Sequence, residues 1–277
     1  MGGANILGLA LSYAGIFALI ALAGGLLKAG AVRPAASRKI VHIGVSHWWL
    51  LMMATMDRLW VAALGPVTFI IINWLSLKLR LFKAMEDPEP SKNYGTIYFP
   101  ISLLVLVLAS YAGLMPLWVG GVGILIMGWG DGLAALVGER FGSVNARIFG
   151  SMKSVVGAAA MFAASFIVTL AMGLCFDPAA GFLTLALRAA ATAVFATLVE
   201  LLTPFGVDNI TVPILSAFFY RYVAMSPALG GVLAAAAANA VFALAGWLVG
   251  GVDAGGALTG LARSEERRVG KECRSRW

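Results

Sequence analysis

Residues 117–142 read LWVGGVGILIMGWGDGLAALVGERFG, an apolar segment that carries one deep acidic residue, Asp131. As a helix, residues 117–137 are long enough to cross a hydrocarbon core of about 30 Å. Asp131 lies about two turns inside the polar boundary, and Ala134 and Gly138 share its side of the helix. An ionised carboxylate at this depth is costly without a partner cation, so Asp131 is a candidate functional residue. The alternative is a glycine-rich packing helix with an incidental Asp paired to a neighbouring Arg.

The rest of the chain has the same character. Hydrophobic residues make up 61% of the 277 and charged residues only 12%, far outside the range of soluble domains. We therefore predict an all-α, polytopic integral membrane bundle of about nine transmembrane helices, or eight plus a re-entrant segment. The candidate for a broken or re-entrant helix is 210–225, where Pro213 and Arg221 interrupt a short apolar run. The predicted spans are 5–27, 41–56, 58–77, 97–115, 117–137, 154–174, 181–201, 210–225 and 228–250.

Basic residues concentrate in alternate connections, 28–39, 78–92 and 139–153, whereas the intervening ones contain only Arg58. The positive-inside rule places these basic loops in the cytoplasm, the N-terminus outside and, with nine spans, the C-terminus inside. The bilayer, expected to be the cell (inner) membrane, thus accounts for the net charge of +7, and no nucleic-acid partner is predicted.

We predict one transmembrane catalytic domain over residues 1–262. Residues 263–277 change character abruptly and contain six of the twenty basic residues without apolar periodicity. This predicts a disordered tail that is solvated or is an expression or assembly scar, rather than a segment bound to anionic lipid.

A cationic motif, Ser37-Arg38-Lys39-Ile40-Val41-His42, opens the second predicted span. Arg38 and His42 stand four residues apart on one helical face, so these cations could hold phosphate. The alternative is an ordinary cytoplasmic anchor in which Ser37 caps the helix.

A second candidate anion site is the stretch GSMKSVVG at 150–157. Backbone amides at a glycine-containing helix start, together with Lys153, can bind an anion. Neither a P-loop nor a GxGxxG motif is present, and a helix start capped by Ser154 is the simpler interpretation.

Further acidic residues end the seventh span and precede the eighth. Glu200, Asp208 and Asn209 are expected at the same membrane face as Asp131. Hard oxygen ligands of this kind suit Mg²⁺ beside nucleotide phosphates, although Asp208 could simply cap the next helix. Carboxylates for a metal and cations for phosphate are the two parts of a phosphoryl-transfer site.

Taken together, these segments resemble the CTP-dependent lipid kinases, which include dolichol, phytol and CTP-using diacylglycerol kinases and are relatives of the CDP-diacylglycerol synthases. The resemblance covers about 37–222, and the phytol and polyprenol kinases are the most similar. The matching pieces lie at span edges in the family's order: Arg38-Lys39 with His42, Tyr94 to Pro100, Gly130-Asp131 with Ala134 and Gly138, Lys153-Ser154 with Gly157, and Glu200 followed by Asp208-Asn209 and Pro213.

The resemblance implies transfer of the CTP γ-phosphoryl group to the hydroxyl of a membrane lipid alcohol such as phytol, a polyprenol or diacylglycerol. Arg38, Lys39, Asp131 and Gly138 match residues on which the family depends. One position departs, because the family often has a Glu where this chain has Val156. Glu200 or Asp208 must then complete the metal site.

Our hypothesis is that Mg²⁺ is held by Asp131, Glu200 and Asp208, and that Asp131 or Asp208 is the base. Catalytic roles are assigned to Arg38, Lys39, Asp131 and Asp208. The predicted CTP contacts are Arg38, Lys39, His42, Gly130, Gly138, Lys153, Ser154, Gly157 and Asn209.

The nearest alternative is a phosphatidate cytidylyltransferase, which would use the same nucleotide. A CDP-alcohol phosphotransferase fits less well, because Leu136 replaces its expected Arg and no second pair of aspartates follows. A transporter is a distant alternative, since the charges lie at one face and no internal repeat is evident.

Overall fold

The structure, a computed structural model, describes residues 2–79, 94–142, 145–148, 151–203, 206–226 and 230. These residues are nearly all helical. The α-helices are α1 (Gly3–Lys28), α2 (Pro34–Ser46), α3 (Trp48–Thr55), α4 (Leu59–Leu79), α5 (Gly95–Tyr111), α6 (Leu117–Leu125), α7 (Gly132–Phe141), α8 (Val155–Phe176), α9 (Phe182–Leu202) and α10 (Asp208–Met225). A π-helical turn, Ile126–Asp131, joins α6 to α7, and a short 3₁₀ turn, Pro178–Ala180, precedes α9.

Five segments of the described chain are long and apolar enough to cross a membrane: Gly3–Lys28, Leu59–Leu79, Leu117–Phe141, Val155–Phe176 and Phe182–Leu202. This confirms the helical membrane protein predicted from the sequence. The total of nine spans stays a prediction, because the span 228–250, apart from residue 230, and the tail 263–277 lie outside the described residues.

The segment Leu117–Phe141 forms the centre of the bundle. In its most apolar stretch 78% of the residues are buried, against 22–39% in the other four long helices. Its glycines allow this central position because, without side chains, they let neighbouring helices approach the backbone closely. A Cβ at Gly121 would lie 2.8 Å from Trp49 Cδ1, and one at Gly123 would lie 2.9 Å from Ala217 Cβ and overlap the Pro213 carbonyl.

Three expectations about local structure were wrong. The second span begins earlier, as α2 at Pro34, because Pro is suited to the first turn of a helix. Ser37 therefore does not cap it and instead donates a hydrogen bond to the Ala23 carbonyl at 3.1 Å. The helix α10 is continuous through Pro213, so the predicted break in 210–225 is absent.

A further difference is a small antiparallel hairpin in the basic connection after α7. Strand β1 (Asn145–Ile148) pairs with β2 (Ser151–Ser154), with Asn145 opposite Ser154. The all-α prediction therefore needs this exception. The hairpin matters because it brings Lys153 to the start of α8.

We expect Gly123→Ala to destabilise the bundle by about 1–3 kcal/mol, because the added methyl group would overpack the contact between α6 and α10. Thermal unfolding in detergent measures the effect. Gly15→Ala is the matched control, since a Cβ there meets nothing within 4 Å. Equal unfolding temperatures for the two variants would contradict this account of the packing.

Candidate active site

Asp131 and Lys39 form the first buried ion pair of the site. Asp131 ends the π-helical turn with 7% of its surface exposed, and Lys39 Nζ donates to its Oδ2 at 2.5 Å. His42 lies one helical turn after Lys39, with Nε2 3.6 Å from the same oxygen and its ring centroid 4.7 Å from that of Phe99. The predicted need of Asp131 for a cation is met by Lys39, which lies 92 residues away in sequence.

The π-helical turn positions Asp131 between two close neighbours. A Cβ at Gly128 would overlap the Ser46 side chain of α2, and one at Gly130 would overlap Met161 of α8. Such π-turns often occur at functional sites, since the wider turn redirects a side chain. Gly130 therefore lies in a helix contact, and its contact with a nucleotide stays a prediction.

Lys153 and Glu200 form the second buried ion pair. Lys153 is the next-to-last residue of strand β2, and its ammonium group donates to Glu200 Oε1. The side chains are 16% and 7% exposed, respectively. Burial alone lowers the pKa of Lys153, but the Glu200 and Asp208 carboxylates outweigh it, and the net pKa lies above its ordinary value. Lys153 is therefore a firmly protonated cation.

Asp208 starts α10 beside these pairs. It is not the N-cap of that helix, and its Oδ1 accepts hydrogen bonds from the Asn209 backbone N–H at 3.0 Å and from Asn209 Nδ2 at 3.1 Å. Burial, and after it the nearby Asp131 carboxylate, raises the pKa of Asp208 to about 6. The positive charges of Lys153 and Lys39 therefore do not fully offset the burial of Asp208 and its repulsion by the neighbouring carboxylates.

The three predicted metal ligands converge. Asp131, Glu200 and Asp208 each offer a carboxylate oxygen, and these oxygens lie within 4.8 Å of one another. Oxygens at such distances can surround one small hard cation, and Mg²⁺ prefers carboxylates combined with phosphate oxygens. The donor set thus fits Mg²⁺. Two lysines cannot balance the charge of three carboxylates, so the remaining negative charge favours the binding of a further cation.

The predicted nucleotide contacts at the start of α8 have structural roles. Ser154 caps α8 by accepting a hydrogen bond from Gly157 N–H at 3.0 Å, which confirms the simpler interpretation of this stretch. Gly138 and Gly157 face each other where α7 packs on α8, because a Cβ at Gly157 would lie 3.5 Å from Gly138 Cα. Their contact with CTP stays a prediction.

A cavity of about 450 Å³ begins at the carboxylate cluster and runs between α1, α2, α4 and α5. Arg38, Lys39, His42 and Asn209 line it, so the structure brings these predicted residues to one space with Asp131, Lys153 and Asp208.

Sequence reasoning missed one polar contact in the wall of this cavity. Asn73 Nδ2 donates to the Thr96 carbonyl at 2.7 Å and thereby joins α4 to the start of α5. The signal was present, since Asn73 is the one carboxamide in the predicted span 58–77.

Comparisons with known proteins identify relatives over most of the chain. A phytol kinase of Synechocystis is 36% identical over 217 residues, which cover 76% of this chain and 88% of the relative. A probable chloroplastic phytol kinase of Triticum aestivum is 30% identical, with 77% and 74% covered. The probable phytol kinase 1 of Oryza sativa is 32% identical, with 73% and 68% covered. No family model and no solved structure matches.

The structure is a helical membrane bundle with carboxylates and lysines at the polar end of a cavity. With the relatives beside it, the class is a membrane-embedded lipid kinase. The chain belongs to the phytol kinase family. This confirms the resemblance and the enzyme class predicted from the sequence, and it favours the kinase over the cytidylyltransferase and the transporter.

We expect Lys153→Met to lower the free energy of unfolding by about 3 kcal/mol, because it leaves Glu200 buried without its cation. In the double variant Lys153→Met/Glu200→Leu the loss should be smaller, since no unpaired charge remains. Thermal unfolding in detergent compares the two. A double variant less stable than Lys153→Met would contradict the pairing.

Proposed function

We propose that this chain transfers the γ-phosphoryl group of CTP to the hydroxyl of phytol or a related prenyl alcohol. The observation that carries the proposal is the convergence of three carboxylates, two buried and one half-buried, with Lys39 and Lys153 at one end of a cavity. The similarity to proteins named phytol kinases supports the lipid acceptor, and the family resemblance supports CTP as the donor.

Asp131, Glu200 and Asp208 would hold the metal. Bound Mg²⁺ would neutralise charge on the phosphate oxygens during transfer. Val156, where the family often has a Glu, makes Glu200 and Asp208 the available partners for Asp131 within this cluster.

Arg38, Lys39 and Lys153 would attract the triphosphate. Lys39 and Lys153 each bind a carboxylate now, and a metal on those carboxylates would leave their ammonium groups to the phosphates. Among the described residues, His42 Nε2 is buried without a hydrogen-bond partner and faces the same space. It is therefore a further candidate donor to a phosphate oxygen.

The lipid hydroxyl oxygen would attack the γ-phosphorus while the bond to the β-γ bridging oxygen breaks and CDP leaves. The hydroxyl proton would pass to Asp131 or Asp208.

We also propose that this end of the bundle faces the cytoplasm. Lys28, Arg33, Arg38, Lys39 and Arg140 lie at helix ends on the side of the carboxylate cluster, as the positive-inside rule requires. CTP would reach the site from that side, and the alcohol would reach it from the bilayer.

We expect Asp131→Asn to lower kcat for phytol phosphorylation at least about 10²-fold, because the amide of Asn carries no negative charge to bind the metal and Lys39. Purified protein, Mg²⁺, labelled CTP and phytol provide the assay. The control Asp177→Asn makes the same change in an ion pair with Arg188 outside the cluster. Wild-type activity in Asp131→Asn would refute the metal assignment.

Product analysis in the same assay distinguishes the kinase from a cytidylyltransferase. CDP and a lipid monophosphate support the proposal, whereas pyrophosphate and a CDP-lipid contradict it. Replacing CTP by each other nucleoside triphosphate tests the donor.

We expect Mg²⁺ binding to weaken as the pH falls through about 6, because protonated Asp208 no longer offers an anionic oxygen. The measurement is the rise in unfolding temperature on adding Mg²⁺ at pH 5 and at pH 7.5. In Asp208→Asn the stabilisation should be weaker at pH 7.5 and nearly the same at both pH values. An equal pH dependence in the variant and the wild type would exclude Asp208 as the cause.

A further inference from the structure

We infer that the apolar part of the cavity is the binding groove for the hydrocarbon chain of the lipid alcohol, and that Trp48 and Gly65 form its end and limit chain length. This inference rests on the proposed function, since it concerns the acceptor of that reaction. It adds where the hydrocarbon chain of the alcohol lies and which residues limit its length.

The groove is continuous with the carboxylate cluster. Asp131, Lys153 and Asp208 line one end of the cavity, and Ser12, Trp48 and Gly65 line the other. The walls between these ends are mainly apolar and come from four helices, with Ile16, Val45, Phe69, Ile72, Phe99 and Leu103 among them. An amphiphile with a reactive head and a hydrocarbon chain matches this change of polarity.

The far end of the groove is closed by a fixed aromatic ring. Trp48 is 6% exposed, and its Nε1 donates to Ser12 Oγ at 2.9 Å, which ties α3 to α1. A Cβ at Gly65 would lie 3.4 Å from Trp48 Cζ2, so the ring rests against the backbone of α4. One turn further along α4, Val61 and Ala62 are fully buried and do not line the cavity.

The length of the groove follows from the helix rise. From Leu77 at the charged end to Gly65 at the closed end, α4 advances about 18 Å at 1.5 Å per residue. A prenyl alcohol with a main chain of about sixteen carbons also spans roughly 18 Å, since an extended chain advances at most about 1.2 Å per bond. The groove therefore matches an alcohol of the length of phytol, and a long polyprenol would exceed it.

The direction of the chain follows from the polar groups. A hydroxyl without a hydrogen-bond partner is disfavoured among Ile16, Phe69 and Leu103. At the other end carboxylate and lysine groups offer both acceptors and donors. The hydroxyl therefore lies beside the cluster and the terminal methyl groups lie beside Trp48.

The experiment shortens the groove with Gly65→Leu and measures kcat/KM for prenyl alcohols of increasing chain length. We expect kcat/KM for phytol to fall at least about tenfold relative to that for a shorter prenyl alcohol, because the new side chain occupies the closed end. Gly15→Leu is the matched control on the exposed face of α1, where a Cβ meets nothing within 4 Å. It should keep the wild-type chain-length profile.

A second measurement does not depend on turnover. A long-chain alcohol with a photoreactive group at its terminal carbon is bound to the wild-type protein without nucleotide and irradiated. We expect crosslinks in the peptides that contain Ser12, Trp48 or Gly65. This crosslinking experiment tests the position of the groove even if Gly65→Leu fails to fold.

The outcomes separate the two proposals. Wild-type protein that phosphorylates no alcohol in the panel overturns the proposed function, whatever the labelling shows. Wild-type protein that is active, with the same chain-length profile in Gly65→Leu or with crosslinks elsewhere, overturns the groove and leaves the function standing.

Discussion

Three carboxylates at one end of a membrane bundle, two of them buried, constrain the residues around them, because a buried ionised group without a cation is strongly disfavoured. Asp131 is balanced by Lys39 and Glu200 by Lys153, whereas Asp208 has a pKa raised toward neutrality. The helices and the hairpin that carry these five residues must therefore meet at one end. The cluster is both a condition for a stable bundle and a ready site for a divalent cation.

Close helix packing makes that meeting possible. The central segment Leu117–Phe141 is the most buried of the long helices, and its glycines let neighbouring helices approach its backbone. At the π-helical turn, Gly128 contacts α2 and Gly130 contacts α8, so Asp131 is held between the two helices that bring Lys39 and, through the hairpin, Lys153. Several glycines that resemble nucleotide contacts in sequence thus serve to bring charged groups together.

The site and the apolar groove form one space, which suits a reaction between a polar donor and a membrane alcohol. A soluble kinase must extract such an acceptor from the bilayer, at a considerable loss of hydrophobic burial. Here Phe69 and Leu103 line the same cavity as Asp131 and Asp208, so the acceptor can stay in an apolar environment while its hydroxyl reaches the charges. Membership of the phytol kinase family agrees with this arrangement.

The sequence by itself determined the membrane class, most of the described helices and the candidate residues Lys39, Asp131 and Asp208, because hydropathy and span edges are properties of consecutive residues. It did not determine which lysine pairs with which carboxylate, since Lys39 and Asp131 are 92 residues apart and Lys153 and Glu200 are 47 apart. It also did not reveal the hairpin that carries Lys153 or the contact between Asn73 and Thr96. Only the tertiary structure decided these features and the cavity, because they depend on how each helix is rotated and which helices become neighbours.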